Sequence, residues 1–109
     1  MNREHLTDFL ESKNCPECDL SEIVLENLDL SDAFLLGVDL TNAKLIRCNL
    51  EDANLSGADL TGCDLSGSSL KNADLSGADL SNATLDDVDL TGTDLTNAVY
   101  ANTVLPEVG

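Results

Sequence analysis

Acidic side chains supply most of the chemistry that this sequence could perform. The 109 residues include 21 Asp and Glu against five Lys and Arg, and the formal net charge is −16 at pH 7. General acid–base catalysis needs paired carboxyl groups in a cleft that separates their pKa values. The single histidine, His5, lies near the N-terminus, and no Ser/His/Asp set or glycine-rich phosphate loop is present. The composition therefore predicts a non-enzymatic protein whose charged partners are basic.

Four cysteines are the other reactive side chains. Cys15 and Cys18 form a Cys-Pro-Glu-Cys sequence, whose spacing permits a disulfide in an oxidising compartment. Two free thiols that act as small apolar residues are the alternative, and a catalytic redox pair lacks the βαβ context that such pairs use. Cys48 and Cys63 stand where alanine stands in other units, so we predict core positions. A zinc site would need all four to converge; no metal and no cofactor is expected.

A leucine repeat organises the positions of these side chains. Leucine occupies every fifth residue from Leu20 to Leu95, sixteen times without a break. A step of five scatters residues around an α-helix and alternates them between the faces of a strand. The leucines can share one interior only if the chain turns once in every five residues. The second residue after each leucine supports this, because it is Gly in six units and Asn or Asp in eight, residues that tolerate positive φ.

The neighbouring positions complete a five-residue motif. Two residues before each leucine the side chain is mostly Ala or another small or apolar residue, and one residue before it is Asp nine times. The units Ala-Asn-Leu-Ser-Gly at 53–57, Ala-Asp-Leu-Thr-Gly at 58–62 and Ala-Asp-Leu-Ser-Gly at 73–77 resemble the pentapeptide-repeat family, whose motif is A(D/N)LXX.

The resemblance implies an all-β solenoid. Its form would be a right-handed quadrilateral parallel β-helix with four pentads per coil and about four to five coils. We expect a short N-terminal capping helix within residues 1–17, the β-helix over 18–105 and a C-terminal tail at 106–109. The resemblance also implies a non-enzymatic protein, because most members of the family lack known enzymatic activity.

The segment before the repeat has a helical pattern. Three apolar residues there share one helical face: Leu6, Phe9 and Leu10. Asn2 is a suitable N-cap, and Asn14 with Pro16 would end the helix. Because a solenoid end exposes leucines and unpaired strand edges, we interpret residues 2–14 as a lid. A helix for a membrane surface or a partner is the alternative, although its acidic residues disfavour anionic lipid.

Two surface features are candidate binding sites. Four aspartates recur at a spacing of twenty and would stack roughly 5 Å apart on one side of the β-helix, which we call the acidic wall: Asp19, Asp39, Asp59 and Asp79. It is open to three interpretations, namely a solvated face, a strip for a basic protein and a loose site for divalent cations. Mutual repulsion would raise the pKa values of Asp39, Asp59 and Asp79. Phe34 and Leu36 flank Leu35 and are either covered by the lid or form an exposed apolar patch.

These observations favour a protein-interaction or scaffold module with an unknown, basic protein partner. The alternative is a DNA mimic that inhibits or protects a DNA-handling enzyme such as DNA gyrase, as some longer, end-to-end paired members of the family do. We expect a monomer, with an end-to-end dimer as the alternative. The charge disfavours nucleic acid and anionic membranes as ligands. Without a signal-like or spanning apolar run, a cytoplasmic location is expected, although prior cleavage of a targeting segment would leave the same sequence.

Overall fold

The computed structural model describes residues 1–106, so the last three residues of the predicted tail lie outside the described part. It contains one helix, α1 (Arg3–Ser12), and two short strands, β1 (Val24–Glu26) and β2 (Lys44–Ile46). The strands pair in parallel, and each residue of β1 lies opposite the residue twenty positions later. The molecule measures 37 × 23 × 21 Å along its principal axes.

The same twenty-residue step recurs as parallel bridges along the chain, from Asn14 with Phe34 to Asp79 with Val99. The bridges connect residues that each precede an inward-facing residue of the repeat, and they form four ladders. We number the four sides of the column by these ladders. Wall 1, the acidic wall, carries Asp19, Asp39, Asp59, Asp79 and then Val99; wall 2 carries Val24, Lys44, Asp64 and Thr84; wall 3 carries Asp29, Asn49, Ser69 and Asp89; wall 4 carries Asn14, Phe34, Asn54, Asp74 and Asp94.

Turns with positive φ separate the walls. The second residue after every repeat leucine has φ between 52° and 72°, whether it is Gly, Asn or Asp or one of the two exceptions, Glu22 and Arg47. At fourteen of the sixteen units the leucine carbonyl accepts a hydrogen bond from the N–H three residues later, as in Ala53 N–H to Leu50 O at 3.1 Å. Both features define a type II turn. The turn predicted from the Gly, Asn and Asp column is confirmed.

The interior is a column of leucine and alanine. Fourteen of the sixteen repeat leucines are buried, and only Leu25 and Leu95 are partly exposed. The one buried polar side chain within residues 1–106 is that of Ser68. Its hydroxyl donates to Leu45 O at 2.6 Å and accepts from the Cys48 N–H at 2.9 Å. The column therefore buries this hydroxyl with its hydrogen-bonding capacity used.

Helix α1 begins as predicted and ends earlier. Asn2 is the N-cap, and its Oδ1 accepts from the N–H groups of Glu4 and His5. Lys13, with φ of 57°, ends the helix. The prediction that Asn14 ends it is wrong, because Asn14 already pairs with Phe34 in wall 4.

The buried side of α1 is narrower than predicted. Phe9 is 1% exposed and Leu6 packs partly against the core, but Leu10 is 50% exposed. Leu10 lies about 100° around the helix from Phe9, and the contact with the column does not extend that far. The expectation that Leu10 shares the buried face is therefore wrong.

Candidate functional site

The structure brings the four aspartates of the acidic wall into one ladder. Asp19 pairs with Asp39, Asp39 with Asp59 and Asp59 with Asp79. Each residue is thus one strand spacing, roughly 5 Å, from the next. Val99 follows Asp79 in this ladder, so the acidic run stops before the C-terminal end of the column.

Each of these carboxylates also stabilises the turn that follows it in sequence. Oδ1 accepts a hydrogen bond from the backbone N–H two residues later, which is an Asx turn. The four distances are 3.1 Å from Ser21, 3.0 Å from Thr41, 3.0 Å from Thr61 and 2.9 Å from Ser81. Asn49 and Asn54 make the same bond on other walls. An uncharged oxygen therefore suffices for the turn, and the negative charge of the acidic wall is additional to it.

The hydrogen bonds lower the pKa values of several aspartates. The hydroxyl and the N–H of Ser81 hold the pKa of Asp79 below its usual value. Ser21 has the same effect on the pKa of Asp19, with a smaller contribution from the Met1 α-amino group at 3.4 Å. The expectation that repulsion raises the pKa is wrong for Asp79, because hydrogen bonds to the ionised form outweigh the opposing effect of burial. Three further aspartates have pKa values lowered in the same way: Asp29, Asp89 and Asp94.

His5 is occupied in attaching α1 to the column. Its Nδ1 accepts a hydrogen bond from the Asp19 N–H at 2.9 Å. The ring is therefore bound to the backbone rather than directed at a second reactive group. Across residues 1–106, no cluster of three His, Cys, Asp or Glu side chains is arranged to hold a metal ion.

Two of the four cysteines form a disulfide, and the other two are free thiols. Cys15 and Cys18 are joined by a disulfide with their Cα atoms 5.5 Å apart. Cys48 and Cys63 are free and buried in the column. Burial raises the pKa of the Cys63 thiol to about 12 and also raises the pKa of Cys48. The four sulfur atoms therefore do not form one ligand set.

Apolar side chains are exposed near the N-terminal end of the column. Phe34 and Leu36 are 39% and 40% exposed, so α1 does not cover them. Val24 is 60% exposed and Leu28 is 36% exposed; neither was singled out as a surface site from the sequence. The available signal was Val24 itself, which stands at a position that is polar in most units.

A solenoid with these turns and this ladder belongs to a known class of repeat protein. The family model for pentapeptide repeats, which spans eight copies, matches residues 18–57 and again residues 58–97. The chain therefore belongs to the pentapeptide-repeat family and has its right-handed β-helical fold. No protein of curated function matches the sequence.

Solved structures from plants and cyanobacteria are similar to this chain. A pentapeptide repeat protein from the thylakoid lumen of Arabidopsis thaliana is 28% identical with a TM-score of 0.77, and the match covers 80% of this chain. The chain spans only 61% of that protein's length. The pentapeptide repeat protein Rfr23 from the cyanobacterium Cyanothece 51142 is 25% identical with a TM-score of 0.53, and 95% of this chain and 99% of that chain are covered.

A weaker match is the full-length fluoroquinolone resistance protein QnrB1, at 17% identity and a TM-score of 0.40, covering 82% of this chain and 68% of that one. Similarity at this level carries no argument about function. In residues 1–106, no helix has the length and apolar character needed to cross a membrane.

Proposed function

We propose that this protein is a non-enzymatic interaction module whose acidic wall binds a basic protein partner. The observation that carries the proposal is the register of the four aspartates in wall 1. A row of like charges at one strand spacing on a rigid wall matches Lys or Arg side chains that are regularly spaced on a partner. The net charge of −16 adds long-range attraction for such a partner.

The carboxylates that are most available for a partner lie in the middle of the row. Within residues 1–106, the hydrogen bonds made by Asp39 and Asp59 reach only Oδ1. Their Oδ2 atoms are therefore available to accept from a Lys or Arg side chain. Asp19 differs because its Oδ2 lies 3.4 Å from the N-terminal amino group. We assign the binding surface to Asp39, Asp59 and Asp79.

The proposal includes the organisation of the chain. Residues 18–105 would form four full coils and a partial fifth, and residues 1–17 would form the lid on the first coil. The twenty-residue bridges and the buried Phe9 support this division. A monomer provides the whole acidic wall, so no second copy is needed for binding.

Capture from a lysate with two charge-matched variants tests the proposal. One variant carries Asp39→Asn, Asp59→Asn and Asp79→Asn on the acidic wall. The control carries Asp74→Asn, Asp89→Asn and Asp94→Asn, which removes the same charge from walls 3 and 4. Because Asn serves in the same turns at Asn49 and Asn54, both variants are expected to fold.

Proteins captured at low salt should be basic, should be released at high salt and should be lost only with the first variant. Equal loss with both variants would show that net charge alone accounts for the capture, and the acidic wall would then not be the site. The DNA-mimic alternative has no specific observation in its favour within residues 1–106. A supercoiling assay of DNA gyrase with and without the protein tests it directly.

A further inference from the structure

Each wall of the column needs three backbone hydrogen bonds on the side that faces the preceding coil. In wall 1, the N–H of Asp39 donates to Cys18 O at 2.9 Å, and its carbonyl accepts from the Leu20 N–H at 2.8 Å. The carbonyl two residues later, on Thr41, accepts from the Glu22 N–H at 2.9 Å. The first coil has no preceding coil, so these groups need other partners or remain open.

The N-terminal segment supplies all of these partners on wall 4 and some of them on walls 1 and 3. On wall 4 all three bonds are made by residues 13–17. On wall 1, His5 and Asn2 bond the N–H and the carbonyl of Asp19. On wall 3, the Lys13 Nζ donates to Ser31 O at 2.8 Å, while the N–H and C=O of Asp29 have no partner within residues 1–106.

Wall 2 is different, because its first segment is strand β1 and nothing covers its outer edge. The corresponding groups are the N–H and C=O of Val24 and the C=O of Glu26. No group in residues 1–106 forms a hydrogen bond with any of them. Every Cα of α1 is more than 8 Å from every Cα of β1. Leu25, which lies between Val24 and Glu26 in sequence, is one of the two repeat leucines that are not fully buried.

We propose that this open edge of β1 binds an extended peptide from a partner protein, which pairs with β1 as an added strand. The peptide would donate two N–H groups, to Val24 O and Glu26 O, and would accept one hydrogen bond from the Val24 N–H. Pairing of this kind is a general mode of peptide recognition, in which the backbone provides affinity and alternate side chains provide specificity. Apolar side chains on both faces of β1 define the rest of the ligand.

The ligand needs two adjacent apolar residues and basic ends. One apolar side chain would pack on Val24 at the surface, and the next would cover Leu25 from the inside, since successive residues of a strand point to opposite faces. Glu22 and Glu26 flank the edge and would attract Lys or Arg. The nearby cations, Lys44 and Arg47, lie in the next coil on the other side of β1, and Arg47 is 4.0 Å from Glu26.

A second copy of this chain is a poorer occupant. Two β1 edges paired with each other would bring Glu22 and Glu26 of one copy close to the same acids of the other, and like charges across a strand pair are destabilising. The charge around the edge therefore favours a basic peptide from another protein. This surface is separate from the acidic wall, so either proposal can fail alone.

The test uses a fluorescent seven-residue peptide with a Val–Leu centre, lysines on both sides and amide-protected ends. A second peptide of the same sequence carries N-methyl groups on the two backbone nitrogens that would donate, which keeps charge and side chains but removes the donors. We expect anisotropy titrations to show at least about tenfold weaker binding for the methylated peptide. In ¹⁵N-labelled protein, the first peptide should slow hydrogen exchange of the Val24 amide.

Val24→Lys provides the protein variant, and Val99→Lys is its matched control. Both residues stand one position before the leucine place of the repeat, which Tyr100 fills after Val99. Both are more than half exposed, and the two changes add one positive charge at opposite ends of the column. Val24→Lys should weaken peptide binding about tenfold, and Val99→Lys by less than twofold. Equal binding of the two peptides, or an unchanged exchange rate at Val24, would overturn the proposal. So would a concentration-dependent dimer that Val24→Lys abolishes, since the occupant would then be a second copy.

Discussion

The backbone N–H of Asn2 donates to the carbonyl of Asp19 at 3.0 Å. This is the bond that Leu20 makes to Asp39 one coil further along, at 2.8 Å. The N–H of Asp19 completes the pair by donating to His5 Nδ1. Helix α1 is therefore attached to the column by hydrogen bonds of the kind that one coil makes to the next, in addition to the apolar contact of Phe9.

Substitution of Asp59 separates the turn from the charge. In Asp59→Ala the Thr61 N–H loses its acceptor, so the free energy of unfolding should fall by about 1 kcal/mol. Asp59→Asn keeps an acceptor and should change it by less than half as much. Urea unfolding of both variants measures the difference. Equal losses would mean that the carboxylate charge, and not the Asx turn, stabilises this corner.

Acid should weaken the fold through the lowered pKa values. The hydroxyl and N–H of Thr96 lower the pKa of Asp94, so its folded pKa lies below the unfolded value of about 3.9. The stabilisation is then complete above that value and is lost as the pH falls through the folded pKa.

Asp94→Asn isolates this contribution. The parent should have the higher urea midpoint at pH 7, and the difference should shrink and disappear as the pH falls through the folded pKa of Asp94. A difference of the same size at both pH values would show that protonation of Asp94 does not contribute.

The leucine column should tolerate truncation only at its ends. Leu55 is fully buried, whereas Leu95 is partly exposed. Leu55→Ala should lower the free energy of unfolding by about 2–5 kcal/mol, since it leaves a cavity between two coils. Leu95→Ala should cost less than half of that. Chemical denaturation compares them, and similar losses would contradict the view that neighbouring coils determine the cost.

The turn position can be tested in both directions. Gly57 has φ of 65°, and an added Cβ there would meet no atom within 4 Å. Gly57→Ala should therefore cost about 1 kcal/mol from backbone strain alone. Glu22 has φ of 63° at the equivalent position, so Glu22→Gly should increase stability by a similar amount. Thermal melts of the two variants should shift in opposite directions; a shared direction would count against positive φ as the cause.

The free thiols should be unreactive in the folded protein. Cys63 is fully buried and its pKa is raised to about 12, so almost no thiolate is present at pH 8. A thiol reagent should label Cys48 and Cys63 only after unfolding in urea, and mass spectrometry can count the labels. Rapid labelling without denaturant would show that the column opens locally.

Most of the fold can be predicted from residue types that recur at fixed intervals. Gly, Asn and Asp two residues after each leucine predict positive φ because few other residues adopt it without strain, and even Glu22 and Arg47 follow their neighbours. The recurrence of Asp19 at Asp39, Asp59 and Asp79 predicts their shared wall, because twenty residues make one return of the chain.

Features that depend on how α1 rests on the column were not predictable. The exposure of Leu10 depends on the tilt of α1, which apolar spacing does not determine. The bond between His5 and Asp19 joins residues fourteen positions apart that have no pattern in common. The direction of the pKa shift at Asp79 was not predictable either, because it depends on local hydrogen bonds that outweigh the effect of burial, and composition does not reveal which is stronger.

The twenty-residue return has a consequence for how such a chain can grow. Insertion of a single pentad in the middle would keep every leucine inside but would move all later residues by a quarter of a circuit. Asp59 and Asp79 would then leave the ladder of Asp39, and the charged stripe would be broken without any loss of core. Only duplications of four pentads lengthen the stripe, so a lineage that depends on this surface should gain or lose length in units of twenty.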